Sequence, residues 1–372
     1  MNHIGFAVRN LQRRPARSLL TILGVAFAVG SFITLFGLSQ SVHENVERSF
    51  SEHDIDLTAK RRGIAEPFGG TIPQDLVDKV AAIPGVADVA GQLVTFAATD
   101  NDDSVLAAGW PPDSFYWDTV PLKSGRMPEA GETKIALVGA DIARTLGKRV
   151  GDDISLLGET FRIAGLTDYH SVINRNQVIV PLADLQELTF RPDALTVLSI
   201  RLDNPGDPSG ADRIAAAIEA LGKLTVSRSE GMMRDDSMFG LLTAVSNSMA
   251  WVALFMGVLM VLNTLLMAVL ERTREIGILA AIGWSKARIM GALIIEGFIL
   301  SALGSLAGIA LGIAGSKLLT AIPAVGRYVA VEPTLPLIAT TALAAIALGI
   351  VGSLYPAYVA TRQSPANALA HT

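Results

Sequence analysis

The chain has 372 residues, of which 50% are hydrophobic and 17% are charged, and its mean hydropathy is +0.43. This composition is too apolar for an ordinary soluble enzyme and too charged for a protein that lies wholly within a membrane. The sequence therefore predicts a membrane protein with a large water-exposed part. The chain contains no Cys, which fits an oxidising compartment but also occurs in cytosolic proteins.

Four apolar segments are long enough to cross a bilayer, whose hydrocarbon core of about 30 Å requires roughly 20 helical residues. The first segment could instead belong to a cleavable signal peptide, because basic residues precede it. However, its apolar run is longer than a signal peptide requires and no small-x-small cleavage site follows, which favours a retained span. The four segments are Ser18–Leu38, Leu241–Leu270, Ile289–Leu319 and Leu335–Val359.

These segments divide the chain into predicted parts on the two sides of a membrane. The predicted bounds are a cytoplasmic N-terminal helix at 1–17, a first transmembrane helix at 18–41, an extracytoplasmic domain at 42–240, a stalk with the second transmembrane helix at 241–270, a cytoplasmic coupling helix at 271–288, a third transmembrane helix at 289–319, an extracytoplasmic loop at 320–334, a fourth transmembrane helix at 335–359 and a cytoplasmic tail at 360–372.

The charges of the chain follow the same division. Residues 42–240 contain 19 Lys and Arg against 31 Asp and Glu, a net charge of −12, whereas the rest contains 11 against 4, a net charge of +7. Because positive residues flank membrane helices on the cytoplasmic side, the acidic domain is predicted to lie outside. The basic residues of the membrane part concentrate before the first span, between the second and third spans and after the fourth, at Arg9, Arg13, Arg14, Arg17, Arg272, Arg274, Lys286, Arg288 and Arg362.

The outer domain begins with a predicted strand-helix-strand unit. Its strands read DIDLTAK (54–60) and VADVAGQLVTFAAT (86–99), and the helix lies in TIPQDLVDKVAAI, where Thr71 and Gln74 have capping-box spacing. A second unit closes the domain, with strands ALTVLSIRL and KLTVSRS on either side of a helix at Pro208–Leu221. Two such units on one sheet predict a ferredoxin-like layer. Between them, short strands separated by glycines predict an inserted β-rich subdomain at about 105–190.

Sequence motifs of the common enzyme classes are missing. The chain has no G-x-x-x-x-G-K-[ST] phosphate loop, no H-E-x-x-H and no G-x-S-x-G, and its five His residues lack ligand spacing. Basic residues do not alternate with aromatic ones as in nucleic-acid-binding proteins. We therefore predict no catalytic residue, no metal or other cofactor held by this chain, and no nucleic-acid partner.

Small residues repeat every four positions along the third span at Gly304, Gly308, Gly312 and Ser316, and Gly297 and Ser301 extend the same face. Such a ridge lets helix backbones approach closely, either inside one bundle or between two copies. In the spans, Asn263 is predicted to form a structural hydrogen bond and Glu296 to lie at the membrane interface. The polar SNS at 246–248 indicates that the second span continues outward as a stalk.

The segment ERTREIGILAAIG (271–283) lies between the second and third spans. Its pattern predicts an amphipathic helix that ends at Gly283, followed by Ser285 as the N-cap of the third span. The helix could lie on the lipid surface or contact a partner protein, and the sequence pattern alone leaves both alternatives open.

This segment resembles the coupling helix ERtrEIGilrAlGas of the MacB/FtsX family of ABC transporter permeases, with Ala280 or Ala281 where the family usually has Arg. The opening RNLQRRPARSLLTILGVAFAVG and the ending YPAYVATRQSPANAL are similar to the family's ends. In the outer domain, AIPGVADV, LKSGRMP, ALVGADIARTLG and VIVPLADLQEL are similar to the MacB periplasmic core. The resemblance implies four transmembrane helices with an α+β outer domain, a ferredoxin-like porter part with an inserted subdomain.

The resemblance also implies an inner-membrane permease that works as a homodimer or pseudo-dimer with a separate ABC ATPase, which binds ATP and Mg²⁺. ATP-driven movements of the outer domain would expel or extract an amphiphilic substrate such as a drug, peptide, glycolipid, siderophore or lipoprotein. Whether a periplasmic adaptor and an outer-membrane channel take part stays open. Alternatives are a regulator of a cell-wall hydrolase and a membrane-anchored sensor. The residues expected to contact the ATPase are Glu271, Arg272, Arg274, Glu275 and Ile276.

Overall fold

The computed structural model describes residues 12–64, 70–99, 104–229, 237–322, 326, 331 and 333–362. Most of the predicted N-terminal helix, the tail after Arg362 and much of the predicted loop at 320–334 lie outside these residues. Contacts divide the chain into two compact units. The described residues of 1–41, 243–322 and 331–372 form the helical unit, and those of 42–242 belong to the α/β unit.

Four long helices dominate the helical unit: α1 (Pro15–Ser51), α7 (Ser237–Glu271), α9 (Lys286–Ala321) and α10 (Leu335–Arg362). All four are long and apolar enough to cross a membrane, which confirms the four predicted transmembrane helices. The ends of α1 and α7 reach into the sequence of the α/β unit, so α1 continues ten residues past the predicted end of the first span at Ser41. A short helix, α8 (Thr273–Ala281), lies between α7 and α9.

Apolar side chains fill the centre of the helical unit and also cover its outside. The core contains Val29 and Ile33 of α1, Leu265 of α7 and Leu300 of α9, all buried. Large apolar side chains such as Phe27, which is 73% exposed, point outward from the same helices. Helices that are apolar on all sides are typical of a bundle surrounded by lipid.

A single twisted path of strands runs through the α/β unit, in the order β12-β1-β11-β3-β4-β9-β6-β8-β5, with β7 on β8 and a separate pair of β2 with β10. The strands are β1 (Leu57–Arg61), β2 (Ile72–Pro73), β3 (Val86–Ala98), β4 (Ser104–Trp110), β5 (Leu122–Gly125), β6 (Ile135–Gly139), β7 (Asp153–Leu156), β8 (Glu159–Thr167), β9 (Gln177–Pro181), β10 (Ala194–Leu195), β11 (Val197–Leu202) and β12 (Leu224–Arg228). The helices are α2 (Leu76–Ala81), α3 (Ala140–Leu146), α4 (Val172–Arg175), α5 (Leu182–Leu188) and α6 (Pro208–Ala220).

The ferredoxin-like layer consists of β1, α2, β3, β11, α6 and β12. Its strand order β12-β1-β11-β3 is the fourth-first-third-second order of a β-α-β-β-α-β unit, and all three pairs are antiparallel. The predicted capping box is wrong, because α2 begins after Asp75 without a side-chain cap. Ile72 and Pro73, which lie between Thr71 and Gln74, instead form β2 and pair with β10, and this strand pairing outweighs the local capping preference.

The inserted β-rich part, β4 to β9, is present as predicted, and its strands continue the sheet of the ferredoxin-like layer. The 13-residue strand β3 pairs with β11 through its first half and with β4 through its second half, so one sheet continues through both parts. The insertion also contains α3 and α4 and two parallel strand pairs, β4 with β9 and β6 with β8. Parallel pairs require crossover connections, and the short helices provide them.

Successive side chains of the central strands point to opposite faces of the sheet, and an apolar core lies on each face. In β3, Leu93 and Ala97 belong to the cluster on one face, and Ala90 and Val94 belong to the cluster on the other. The second cluster includes Trp110 and residues of a 3₁₀ turn at Phe115–Thr119. A long central strand buried on both faces anchors the whole unit.

Candidate coupling site

The segment predicted to contact an ATPase folds as a distinct helix with defined ends. α8 follows α7 after Arg272, and Gly283 ends the segment with a φ of +96°, a left-handed conformation that favours glycine. Ser285 then caps α9, because its hydroxyl oxygen accepts a hydrogen bond from the Arg288 N–H at 3.3 Å. The helix break and the cap both occur at the positions expected from the sequence.

The acidic side chains of this segment pair with basic residues of the same chain. Glu271 accepts a charge-assisted hydrogen bond from Arg17 at 2.5 Å and also pairs with Arg14. Glu275 lies 3.0 Å from Arg272 and 3.8 Å from Arg13. Since Arg13, Arg14 and Arg17 come from the start of the chain, α8 and the residues around the start of α1 lie together.

Ile276 is not the exposed apolar contact that the sequence predicted. It is half-buried and packs against a small cluster that contains Val269, Ile289 and Leu293. The exposed isoleucines of the segment are Ile278 and Ile282, at 44% and 69% exposure. The sequence signal that would have identified them is their four-residue spacing from Arg274, which places all three on one side of a helix.

Arg274, Ile278 and Ile282 therefore define the outward face of α8, and we call these three residues the α8 face. Arg274 is exposed, and it forms no ion pair with a residue in the described part of the chain. The α8 face thus presents the Arg274 guanidinium beside two apolar side chains. Exposed isoleucines at this spacing, flanked by a cation, are typical of a helix that docks on another protein.

The glycine ridge of α9 lies against α1. A Cβ added at Gly304, Gly308 or Gly312 would come within 2.6 to 2.8 Å of Val25, Val29 or Ile33, respectively. At Gly308 it would also lie 2.8 Å from the carbonyl oxygen of Ala26. These distances leave no room for a side chain, so the ridge serves packing inside one bundle rather than contact between two copies.

The extension of the ridge at Gly297 and Ser301 contacts a different helix, α10. A Cβ at Gly349 would lie 1.7 Å from the Ser301 hydroxyl oxygen, and one at Gly297 would lie 2.7 Å from the Ser353 Cβ. The same small-residue face of α9 thus packs on α1 along one part and on α10 along another. Both contacts depend on residues without a Cβ at the crossing point.

The two polar residues of the spans lie in different environments. Glu296 is 6% exposed and lies inside the bundle, and its predicted position at the membrane interface stays a prediction. Asn263 was expected to form a structural hydrogen bond, but its side chain is exposed and makes none to the described residues. Helical periodicity explains both outcomes, because Glu296 shares the buried face of Leu300 whereas Asn263 lies between the buried Val261 and Leu265.

Four candidate membrane-spanning helices, an α/β unit after the first of them and a short helix between the second and third define a membrane permease with an outer domain. The sequence profile of the MacB-like periplasmic core domain matches residues 18–221, and that of the FtsX-like permease C-terminal region matches residues 247–365. The chain belongs to the MacB/FtsX-type permeases of ABC transporters.

Three relatives show the range of this family. The ABC transporter permease YknZ of Bacillus subtilis is 22% identical, and the match covers 99% of this chain and 98% of YknZ. The macrolide export ATP-binding/permease protein MacB of Marinobacter nauticus is 25% identical over 98% of this chain and 60% of MacB. The pyoverdine export ATP-binding/permease protein PvdT of Pseudomonas entomophila is 27% identical over 95% of this chain and 57% of PvdT. The chain therefore spans about three fifths of the length of the two ATP-binding/permease proteins.

Proposed function

We propose that the chain is a permease subunit that transmits the ATP-driven movement of a partner ABC ATPase to its α/β unit and so drives export or extraction of an amphiphilic substrate. ATP and Mg²⁺ would bind in the partner, because the 372 residues contain no phosphate-binding loop. Membership of the ABC permease family implies an ABC ATPase partner.

The observation that carries this proposal is the α8 face. A helix lying on a lipid surface would bury its apolar side chains in the membrane boundary, whereas in α8 the apolar residues divide into two sets. Ile276 packs into the bundle, and Ile278 and Ile282 point away from it beside Arg274. This division leaves a compact apolar surface with a cation, which fits a protein docking site better than a lipid-surface helix.

The acidic residues Glu271 and Glu275 have a different role in the proposal. Because they pair with Arg13, Arg14 and Arg17 near the start of α1, they would hold α8 in place rather than contact the ATPase directly. Arg272 stands in the sequence between Glu271 and the α8 face, and its guanidinium pairs with Glu275. A push on the α8 face would then pass both to α7, which precedes it, and to α1 through the ion pairs.

The orientation follows from the distribution of charge. The basic residues Arg13, Arg14 and Arg17 pair with Glu271 and Glu275 beside α8, and residues 42–240 carry 31 of the 35 acidic residues. Under the positive-inside rule, α8 would lie in the cytoplasm and the α/β unit on the periplasmic or extracellular side of the inner membrane. The active form would be a homodimer or pseudo-dimer, and relatives named for macrolide and pyoverdine export support an amphiphilic cargo.

The decisive experiment places a charge in the α8 face. We would replace Ile282 by Glu, purify the permease from its native host with the ATPase that co-elutes, and measure that ATPase's hydrolysis with and without the permease. A desolvated carboxylate in the docking site is expected to weaken assembly by roughly 30-fold or more. The matched control is Ile322→Glu, an exposed isoleucine at the other end of α9.

Loss of co-elution in Ile282→Glu, with unchanged melting and an unaffected control, would support ATPase docking at the α8 face. Unchanged assembly and unchanged coupled hydrolysis in Ile282→Glu and in Ile278→Glu would contradict it. Weaker binding of the variant to lipid vesicles, with assembly intact, would instead identify α8 as a lipid-surface helix.

A further inference from the structure

The α/β unit contains a pocket that does not belong to the coupling site. It has a volume of about 110 Å³ and lies on the sheet face covered by the end of α1 and by α4. Its walls are largely apolar, with side chains from α1, β3, β4, α4 and β11. The apolar lining residues are Val46, Phe50, Ile55, Val94, Leu106, Trp110, Ile173 and Val197. A cavity of roughly 150 Å³ with comparable lining holds one benzene ring, so this pocket is suited to a single ring.

Most polar groups in the wall are already satisfied by the protein. The Trp110 indole N–H donates to Gln92 Oε1 at 3.2 Å, Gln92 Nε2 donates to the Tyr116 hydroxyl at 2.9 Å, and that hydroxyl donates to Ser199 Oγ at 2.6 Å. On the other side, Ser49 Oγ donates to Asn174 Oδ1 at 2.7 Å. These groups form a fixed wall and are not available to a ligand.

Two polar groups in the lining differ from these. The Gln177 side chain is only 6% exposed and lines the pocket, and its amide is not among the fully buried, unpaired groups of the described residues. An amide in a largely apolar wall needs a hydrogen-bond partner, which a water or a ligand in the pocket can supply. The second group is the His53 ring, which also lines the pocket and is nearly fully buried.

The hydrogen bonds around His53 fix its tautomer. The Thr119 hydroxyl donates to the Tyr116 carbonyl oxygen at 3.0 Å, so its oxygen accepts the bond of 2.6 Å from His53 Nδ1–H. Burial, with a smaller contribution from the Arg201 charge, lowers the pKa of His53 to about 4, so the ring is neutral at pH 7. Nε2 then carries a lone pair and is a hydrogen-bond acceptor.

We propose that this pocket binds a small neutral aromatic molecule that carries a hydroxyl group, of the phenol class. The ring would contact the apolar wall and Trp110, and the hydroxyl would donate to His53 Nε2 or exchange hydrogen bonds with the Gln177 amide. No Asp or Glu lines the pocket among the described residues, and the half-buried Lys60 is the basic side chain in its lining. The site is independent of ATPase coupling, so its test does not depend on the proposed transport function.

The test uses the full-length permease in nanodiscs and 4-fluorophenol as the probe, with saturable binding followed by fluorine NMR. We expect a Kd on the order of 1 mM, the range for a ligand of this size. Ile173→Trp, which enlarges a half-buried side chain of the pocket lining, should weaken binding at least about tenfold. Its matched control is Leu122→Trp, a partly exposed leucine of the same unit that does not line the pocket.

The polar contact is tested separately. Gln177→Leu should weaken 4-fluorophenol binding roughly five-fold, the effect of one net hydrogen bond, and should leave fluorobenzene binding unchanged or tighter. Gln74→Leu, a glutamine outside the pocket, is the control. If Ile173→Trp alters thermal unfolding, Ile173→Phe replaces it.

Several outcomes would overturn the proposal. Saturable binding that Ile173→Trp and Ile173→Phe do not weaken would place the site elsewhere. An absence of saturable binding up to tens of millimolar would mean that the pocket holds water only. Tighter binding of 4-fluorobenzoate than of 4-fluorophenol would show that the pocket selects an anion at Lys60 rather than a neutral hydroxyl compound.

Discussion

The helix α1 contacts its neighbours in two different ways along its length. In its middle, Val25, Val29 and Ile33 lie against glycines of α9 at distances that exclude a Cβ. Around its start, Arg14 and Arg17 pair with Glu271 in a partly solvated contact. Shape determines the first contact, and charge determines the second.

The difference indicates which contacts are rigid and which can exchange. A close backbone contact between apolar helices has one geometry, because any shift creates an overlap or a void. A partly exposed ion pair can exchange its partner for water or for another charge with a small change in free energy. We infer that the middle of α1 and α9 move as one body, while the ion pairs of Glu271, at the end of α7 beside α8, can respond to a docking protein.

The strongest test of the rigid contact is Gly308→Leu. Because its Cβ would lie 2.8 Å from the backbone oxygen of Ala26, the clash cannot be relieved by a side-chain rotation, and we expect a loss of stability of about 3 kcal/mol or more. Thermal unfolding in detergent measures it. Gly291→Leu in the same helix is the control, since a Cβ there has no neighbour within 4 Å. Equal melting of the two variants would show that the ridge is not packed.

A third contact, made by Glu52 just after α1 in the α/β unit, combines a charged group with hydrogen bonds to fixed backbone groups. Glu52 accepts hydrogen bonds from the backbone N–H groups of His170 and Ser171, at 2.5 and 2.7 Å, and from Asn174 Nδ2 at 2.8 Å. Glu52→Ala would leave these donors without their acceptor and should reduce stability by about 2–3 kcal/mol. Chemical denaturation measures the loss, with the exposed Glu187→Ala as control. An effect no larger than that of the control would mean that water replaces the carboxylate.

The sequence predicted the spans, the ferredoxin-like layer and the helix at 273–281 because each depends on local periodicity. It did not predict which side of α8 faces outward, since the pattern of Ile276, Ile278 and Ile282 fits more than one rotation of a nine-residue helix. The joined sheet depends on the two halves of β3 pairing with different strands, which is a long-range property. The partners of Glu271 come from residues more than 250 positions away, and no local pattern reveals them.

Acidification provides a further test in the α/β unit. Burial and the nearby Arg201 lower the pKa of His53 to about 4, whereas the unfolded chain has the ordinary value of 6.5. Between these values the unfolded state binds more protons, so stability is full above pH 6.5 and falls as the pH decreases toward 4. From pH 7 to pH 5 the expected loss is about 2 kcal/mol.

The variant His53→Phe isolates this contribution. It retains an aromatic ring beside Trp110 and Tyr116 but has no group that titrates in this range. Denaturation at pH 7 and pH 5 should therefore show a smaller pH-dependent loss for the variant than for the native chain. Identical slopes in the two proteins would assign the acid sensitivity to other groups.

The smallest expected effect is at the ion pairs beside α8. Glu271→Gln removes the charge that Arg14 and Arg17 share, and since all three side chains are partly solvated we expect a loss of at most about 1 kcal/mol. A double-mutant cycle with Arg17→Gln, melted at low and at high salt, measures the coupling between the two residues and its screening. A coupling above about 3 kcal/mol that salt does not reduce would show that this contact is as fixed as the glycine ridge. In that case the end of α7 could not exchange its contact with the residues near the start of α1 while a protein docks on α8, and these residues would move together with α7.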